Sequence, residues 1–541
     1  MPAAFTSHAL LTLRRQSLML GALALLLFIL GNHQEAAIGF DSRFVMFANE
    51  MLRHGPGFFP TTYGQPYADY SATSTLFTWL LSLPFGKVTS LTAWLPTAIA
   101  SACIVTLMYR LVAPQSRTWA LVSVALLLLS MTFITETRAV SLDQMLAAVS
   151  FSAFYLAYSH DHFAAPRRHF WLLALLVLGF AVRGPIGLVI PTGILCSYFL
   201  LNGQWQRLIS FGLQALVLLI LCIGTLLILA WISGGEAFVH EVIRMQVTGR
   251  MDGTEGASSV LYYFTSSMGN YALAYPLAVI VLLAILISGR KPSGPALQLV
   301  KYCVGAALIV MIGLSVPQAK KARYLLPMLP MAAIIAAYPF QAMHGRVFAG
   351  LRGLIQGLFL LLPGLLIVGL MVVRKRFGDE LPPLTVIFVA LTVLQVLAVL
   401  QVLALGVLFK AQWRVAGLAA CAVLAMWSSY IMVFEPAERS LYDTRTFTLK
   451  AMQLIDQAPA PVVLHGMGKD AKAIKFMVNV NRDLLPLFTQ SPAELTALPA
   501  PAWIVMDRKD YEALQGSDLG NIAPTLSGRF DKNDYVLLHR P

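Results

Sequence analysis

Long apolar runs constrain this chain more than any other feature of its sequence. Each run is close to the ~20 residues that a helix needs to cross the hydrocarbon core of a bilayer, and short polar breaks separate the runs. Of the 541 residues, 58% are hydrophobic and only 12% are charged, whereas a water-soluble domain of this size needs more charge to cover its surface. The sequence therefore predicts a mainly α-helical, polytopic membrane protein.

The apolar runs predict about thirteen transmembrane helices. The first follows Arg14 and Arg15 and has no convincing cleavage site behind it, so it is predicted to be an uncleaved helix. The fifth and sixth are short, with Arg183-Gly184-Pro185 between them, a pattern compatible with a hairpin that turns inside the membrane. The predicted helices lie near residues 16–32, 93–110, 117–135, 142–159, 170–183, 185–201, 209–232, 270–288, 298–315, 324–340, 352–372, 384–409 and 414–433.

The charges in the polar breaks predict an orientation. Lys and Arg collect in alternate breaks, as at Arg110 and Arg117 or Lys410 and Arg414, and most acidic residues collect in the others. Because cytoplasmic loops are enriched in Lys and Arg, the N-terminus is predicted inside and the C-terminus outside. The same bias accounts for the net charge of +13, so we expect no nucleic-acid partner. The five cysteines lie in apolar runs and are predicted to be neither disulfides nor metal ligands.

A second set of cations is predicted on the outer side. Contact with lipid headgroups or loop solvation would account for any one of them. Together they favour an outward-facing site for a phosphate-bearing ligand. The set comprises Arg43, Arg53, Arg138, Arg183, Arg244, Arg250, Lys320, Lys321, Arg323 and the run at 374–376.

Two regions are predicted to be soluble. Residues 34–91 form a long first outer loop with two helical patterns, at 41–53 and 71–85, and the first predicts an amphipathic helix lying on the membrane surface. We predict a transmembrane domain at 1–433 and an outer α/β domain at 434–541. In the latter, a helix is predicted at 444–457 and strands at 461–464, 502–506 and 535–538.

Two acidic residues are candidate catalytic groups. Asp41 stands at the start of the first loop helix, where capping is the simpler interpretation and a carboxylate that orients or deprotonates an acceptor is the functional one. Asp143 stands at the start of a membrane helix, where capping and an ion pair with Arg138 would account for it. Glu136 could converge with both, but no His or Cys spacing supports a metal site. We predict no required metal and no cofactor.

Several stretches resemble one family of membrane enzymes. The residues are DSRFVMFANEMLRHG at 41–55, YGQPY at 63–67, RAVSLD at 138–143 and RGPIGLVIP at 183–191, followed by blocks at 250–263, 315–327 and 535–541. In this order they resemble membrane glycosyltransferases of the C-type fold. The most similar subgroup is that of the lipid A aminoarabinose transferases and the related protein O-mannosyltransferases.

The resemblance implies an inverting transfer of a sugar from undecaprenyl phosphate to an acceptor on the periplasmic side of a bacterial inner membrane. Asp41 would act at the reacting centre, with Asp143 as a second candidate. The carrier phosphate would be bound by Arg250, Lys320 and Arg323, with Arg183 keeping the charge of the family's Lys. Tyr63 and Tyr67 would line the pocket. Asp69 stands where the family has Glu-Lys-Pro, so the acidic group is kept and the Lys is absent.

The implied acceptor is lipid A, with aminoarabinose as the sugar, and the neighbouring alternative is another sugar transferred to a different glycan, lipid or protein. A lipid or sugar transporter is the alternative from another class, since many helices with charged residues also suit transport. The chain shows no inverted repeat, and its charges lie mostly on the outer rim, which favours the enzyme. A non-catalytic scaffold would leave the outer cations unexplained.

Overall fold

The computed structural model describes residues 7–31, 37–39, 41–69, 71–163, 165–166, 168–251, 258–288, 294–342, 344–376, 378, 381–408, 410–480, 482–498 and 500–541. The protein is a multi-pass membrane protein, mainly α-helical, with a small β-sheet region at the C-terminal end of the chain. The predicted fold class is confirmed.

The first half of the chain holds eleven helices among the described residues. They are α1 (Ser7–Ile29), α2 (Asp41–His54), α3 (Thr73–Ser82), α4 (Ser90–Val112), α5 (Arg117–Leu128), α6 (Met131–Thr137), α7 (Leu142–His162), α8 (His169–Arg183), α9 (Pro185–Leu201), α10 (Trp205–Ile243) and α11 (Gly249–Met251). A two-stranded hairpin, β1 (Thr61–Thr62) and β2 (Gln65–Pro66), lies between α2 and α3. Its turn residues, Tyr63 and Gly64, both have positive φ, as tight hairpin turns require.

The second half of the chain holds eleven further helices among the described residues. Its helices are α12 (Ala274–Ile287), α13 (Pro295–Ser315), α14 (Leu329–Ala336), α15 (Arg346–Arg376), α16 (Leu384–Val407), α17 (Ala411–Ser429), α18 (Glu435–Leu441), α19 (Arg445–Gln457), α20 (Ala473–Met477), α21 (Pro492–Thr496) and α22 (Arg508–Ala513). A 3₁₀ segment at Ala322–Met328 leads directly into α14.

Each predicted membrane segment coincides with helix in the structure. Within the described ranges, eight helical segments are long and apolar enough to cross a membrane, or nine when α5 and α6 count as one span bent by 70°. The remaining predicted segments are α7 and the shorter apolar helices α8, α9 and α12. The main core packs these helices against each other through residues such as Trp119, Phe154 and Trp427.

Helix α2 corrects one prediction. It was expected to lie on the membrane surface, but eight of its fourteen residues are buried. Phe44 and Phe47 pack on the bundle beside Trp94, while Met46 packs into the core of the C-terminal region. The amphipathic pattern was therefore correct, but protein rather than lipid covers this helix on two faces.

The C-terminal sheet has five strands in the order β4-β3-β5-β7-β6. β3 (Val462–His465) pairs in parallel with β4 (Leu487–Thr489) and β5 (Ala502–Asp507), and β7 (Asn533–Arg540) pairs antiparallel with β5 and β6 (Leu526–Phe530). The three predicted strands correspond to β3, β5 and β7, and β4 and β6 were missed. Side-chain bonds from α2 attach this sheet region to the bundle: Arg43 donates to the Asp470 carbonyl at 3.1 Å, and Arg53 to that of Val480 at 2.9 Å.

Candidate active site

A buried ion-pair cluster lies at the end of the bundle that faces the C-terminal region. Asp143, in the first turn of α7, is 5% exposed. Its Oδ1 is 2.9 Å from Arg183 Nε and its Oδ2 is 3.1 Å from Arg323 Nε. We call these three residues the Asp143 cluster. Two arginines that sequence analysis selected separately thus meet on a carboxylate that it also selected, although Asp143 was expected to pair with Arg138 and does not.

The helical hairpin of α8 and α9 places Arg183. Arg183 ends α8, and Gly184 follows with a φ of 66°, a backbone conformation that would be strained in a residue with a side chain. The two helices then approach very closely, because a Cβ on Gly179 would lie only 2.1 Å from the carbonyl oxygen of Gly187. The short Gly-containing turn and the glycine contact fix the guanidinium at the mouth of the hairpin, with its charge 5.3 Å from the centre of the Tyr324 ring.

A cavity of about 830 Å³, counted with its open mouth, adjoins this cluster. We call it the first cavity. Its polar lining comes from Asp143, Arg183, Gln246 and Tyr324 at one end. The rest of its wall is apolar, and is made by Leu146, Pro185, Ile186, Ile190, Val247, Met251, Leu314, Pro317 and Ala319. A ligand with a charged head and a hydrocarbon tail fits this division.

The loop before Ala322 adds cations beside the cavity. Lys320 is 9% exposed and its Nζ donates to the carbonyls of Pro317 at 2.6 Å and Ser258 at 3.3 Å, so it holds the loop that carries a lining residue. Partial burial and the positive charges of Arg323 and Arg183 lower the pKa of Lys321. The same guanidinium groups that contact Asp143 therefore create a positive potential that an anionic ligand would relieve.

Asp41 begins α2 and is 4% exposed. Its Oδ1 accepts from the backbone N–H of Val140 at 2.9 Å, and its Oδ2 accepts from Trp94 Nε1 at 3.2 Å. Burial raises the pKa of Asp41, while the positive charges of Arg439 and Arg323 act in the opposite direction. The carboxylate is thus held rigidly between α2, α4 and the loop before α7, on the side of the bundle that carries Arg323.

A second buried cluster explains Arg138. Its Nε is 2.6 Å from Glu435 Oε2, and Arg439 Nη2 is 3.3 Å from Glu435 Oε1. We call these three residues the Glu435 cluster. The two guanidinium groups lie 5.2 Å and 4.3 Å from the Trp94 ring, and Arg138 also donates to the carbonyls of Phe28 and Leu30. Arg138 therefore ties the end of α1 to α18.

The structure separates the remaining candidates. Tyr63 donates to the Lys469 carbonyl at 3.0 Å and packs on Phe488, so it contacts the C-terminal region and does not line the first cavity. Tyr67 packs on Phe47 and is likewise outside the cavity lining. Asp69 is buried, with its carboxylate 3.7 Å from Arg43.

Arg250 is the last of the predicted site residues. It lies in α11, directly before the cavity-lining Met251, and its side chain lies outside the described residues. Among the described side chains, no group of three His, Cys, Asp or Glu could hold a metal ion.

Several neighbours of the site were not predicted from the sequence. Gln246 lines the cavity and donates through its Nε2 to the Asp69 carbonyl, which connects the first loop to the helical segment Arg244–Thr248 that follows α10. Tyr324 and Trp94 were not selected, and Lys321 was noted only as one of many outer cations. The signal for Tyr324 was its position directly after Arg323. Gln246 and Trp94 stand in otherwise ordinary helical sequence, so no comparable signal existed for them.

Comparisons with known proteins agree with this architecture. The model of the dolichyl-phosphate-mannose-protein mannosyltransferase family matches residues 11–242, a range that includes Asp41, Asp143 and Arg183. No curated protein sequence matches the chain significantly. The structure of ArnT from Cupriavidus metallidurans bound to undecaprenyl phosphate aligns with a TM-score of 0.71 and 15% identity, covering 96% of this chain and 97% of that one. The structure of the same protein in the apo state aligns with a TM-score of 0.70 and 17% identity, again covering 96% of this chain and 97% of that one.

These findings identify the fold of the chain. The chain has the fold of the C-type membrane glycosyltransferases, and the resemblance predicted from the sequence is confirmed at that level. Because the alignment leaves out only 4% of this chain and 3% of ArnT, the shared fold includes most of the C-terminal region.

Proposed function

We propose that this protein is a glycosyltransferase that moves a sugar from a polyprenyl-phosphate carrier to an acceptor at the outer face of a bacterial inner membrane. The first cavity carries the proposal. It places Arg183 at one end and an almost entirely apolar wall at the other, which suits a phosphate joined to a long hydrocarbon chain. The shared fold with ArnT supports the same class of donor.

In this proposal the carrier phosphate lies against Arg183, and the hydrocarbon chain follows Ile186, Ile190 and Leu314. When the acceptor attacks the anomeric carbon, the bond to the phosphate oxygen breaks and its electron pair stays on that oxygen. The added negative charge develops beside Arg183, with Arg323 and Lys321 contributing to the positive potential. Asp143 keeps the two guanidinium groups in position before the donor arrives.

Asp41 serves the acceptor in this mechanism. A hydroxyl acceptor needs a base, and a buried carboxylate whose pKa is raised is better matched to that task than an ordinary Asp. An acceptor that is already anionic needs no base, and Asp41 would then act as a positioning group. Its two hydrogen bonds, from Val140 and Trp94, fix its direction in either case.

The most specific form of the proposal is transfer of aminoarabinose to lipid A. It rests on the ArnT-like fold over both chains. In this form residues 434–541 make up a periplasmic domain, as the positive-inside pattern of the loops also suggests. A second candidate is transfer of a different sugar. Asp69 favours it, because the segment around Asp69 lacks the Lys of the resembling family and Asp69 pairs with Arg43 instead.

The test is mass spectrometry of lipid A from cells that express the wild type, Asp41→Ala or Asp456→Ala at matched membrane levels. Asp456 is an exposed carboxylate on α19, paired with Arg482, and it serves as the control. We expect a sugar-sized mass increment with the wild type and the control and none with Asp41→Ala. The mass itself identifies the sugar.

Two results would change the proposal. An increment that is equal with Asp41→Ala would remove Asp41 from the mechanism. If no variant gives an increment, the purified wild type is tested for release of polyprenyl phosphate from a polyprenyl-phosphate sugar. Release would move the search to other acceptors, and no release would contradict the glycosyltransferase itself.

A further inference from the structure

A second cavity, of about 850 Å³ with its open mouth, lies at the other end of the same helices. We call it the second cavity. α7 carries Asp143 near its start and His160 near its end, which are about 25 Å apart at 1.5 Å per residue. α8 likewise carries His169 at its start and Arg183 at its end. The two cavities therefore lie at opposite ends of the bundle, and nothing in the proposed transfer reaction uses the second one.

The second cavity combines an apolar wall with a basic rim. The wall is formed by Leu156, Ala157, Leu172, Phe199 and Phe211. The rim is formed by His160, Arg168, His169, Gln206, Arg207 and Ser210, and no acidic side chain occurs among the described residues that line it.

The charges around the rim leave a positive excess. Arg207 is 2.7 Å from Asp161, a carboxylate that also accepts from Tyr198 and Gln204. Arg168 is exposed, and no carboxylate described in the structure lies within ion-pair distance of it. Of the two guanidinium groups that line the cavity, that of Arg207 thus has its charge balanced by Asp161, and that of Arg168 has no described carboxylate beside it. An anion placed at the rim would contact both.

Aromatic side chains indicate the level of this rim in the membrane. Trp171 is 59% exposed and Trp205 is 60% exposed, and both adjoin residues that line the cavity. Exposed Trp residues at the ends of membrane helices mark the level of the lipid headgroups. The basic rim is therefore at the depth where a lipid phosphate lies, and the apolar wall extends from it toward the hydrocarbon.

We propose that the second cavity binds an anionic glycerophospholipid from the leaflet opposite to the first cavity. Its phosphate contacts Arg168 and Arg207, and one acyl chain lies along Leu156, Leu172 and Phe211. Basic pockets between membrane helices bind anionic lipid headgroups in this way. The apolar wall extends only about one helical turn from His160 to Leu156, which suits part of an acyl chain better than the much longer chain of a polyprenyl carrier.

Native mass spectrometry of the purified full-length protein tests this site. The protein is delipidated in detergent and titrated with phosphatidylglycerol, phosphatidylcholine or undecaprenyl phosphate. Arg168→Ala and the double variant Arg168→Ala/Arg207→Ala are compared with the wild type. Arg346→Ala/Lys410→Ala is the control, because these two cations are exposed and do not line the cavity.

We expect the wild type and the control to retain phosphatidylglycerol in preference to phosphatidylcholine. Each lost cation should weaken that retention by roughly fivefold, so the double variant loses on the order of 25-fold. Arg168→Ala tests the site even if loss of the Arg207–Asp161 pair impairs folding. Equal retention by all variants would overturn the site, and equal or stronger retention of undecaprenyl phosphate at these residues would overturn the glycerophospholipid assignment.

Discussion

The Asp143 cluster and the Glu435 cluster use the same chemistry for different ends. Each places one buried carboxylate between two arginines. In the Glu435 cluster the side chains are 0% to 9% exposed, whereas the Arg323 side chain is 18% exposed and Asp143 and Arg183 line the first cavity. A closed cluster has no access for a ligand, whereas a cluster beside a cavity can bind an anion. Access, rather than residue type, distinguishes the two.

The largest expected effect is in the closed cluster. Glu435→Ala leaves the charge of Arg138 buried at 1% exposure, without a carboxylate beside it and with the carbonyls of Phe28 and Leu30 and the Trp94 ring as its remaining neighbours. Breaking such a pair costs about 3–5 kcal/mol in the free energy of unfolding. Thermal unfolding of the purified protein should show a large fall in Tm, and Asp456→Ala should not. An unchanged Tm would mean that the cluster is not structural.

The open cluster should respond in activity more than in stability. Arg183→Ala removes the guanidinium proposed to face the developing phosphate charge, and we expect kcat to fall roughly 10²–10³-fold. Arg53→Ala removes the same charge on the same side of the bundle, where Arg53 bonds to backbone carbonyls of the C-terminal region, and should retain activity. Loss of activity in both variants would point to a general effect of net charge.

Asp41 should make stability depend on pH. Because burial raises its pKa, the folded protein keeps this proton at pH values where the unfolded chain has released it. The contribution to stability is present below the ordinary pKa of Asp and is lost as the pH rises through the raised value. The Tm of Asp41→Asn relative to the wild type should therefore increase with pH over this window. If the Tm of Asp41→Asn and that of the wild type change with pH in parallel, the raised pKa of Asp41 is contradicted.

The smallest expected effect is a link between the Glu435 cluster and Asp41. Arg439 belongs to the closed cluster, yet among neighbouring groups its charge does the most to lower the pKa of Asp41, against the effect of burial. Arg439→Gln should shift the acid limb of the activity profile to higher pH, and Arg439→Lys should leave it near the wild-type position. If Gln and Lys shift the limb equally, Arg439 does not act through charge.

The sequence predicted the bundle well because each crossing leaves a long apolar run. The 70° bend between α5 and α6 was not predicted, since the break at Leu129 and Ser130 contains neither Pro nor Gly. The strands β4 and β6 are short and partly exposed, so they carry little hydrophobic pattern.

The ion pairs were harder to predict than the helices. Arg138 and Asp143 are five positions apart and looked like partners, but Arg138 pairs with Glu435, 297 positions away. Asp143 pairs instead with residues 40 and 180 positions further along the chain. Sequence spacing limits which residues can meet within one helix, and packing between helices decides the others.

The proposed binding of the carrier phosphate in the first cavity can be tested directly by the cryo-EM structure of the wild-type protein in nanodiscs with undecaprenyl phosphate added. We expect the phosphate beside Arg183 and the hydrocarbon chain along Ile186, Ile190 and Leu314. A phosphate bound elsewhere, with the first cavity occupied by protein side chains or by an unrelated lipid, would contradict it.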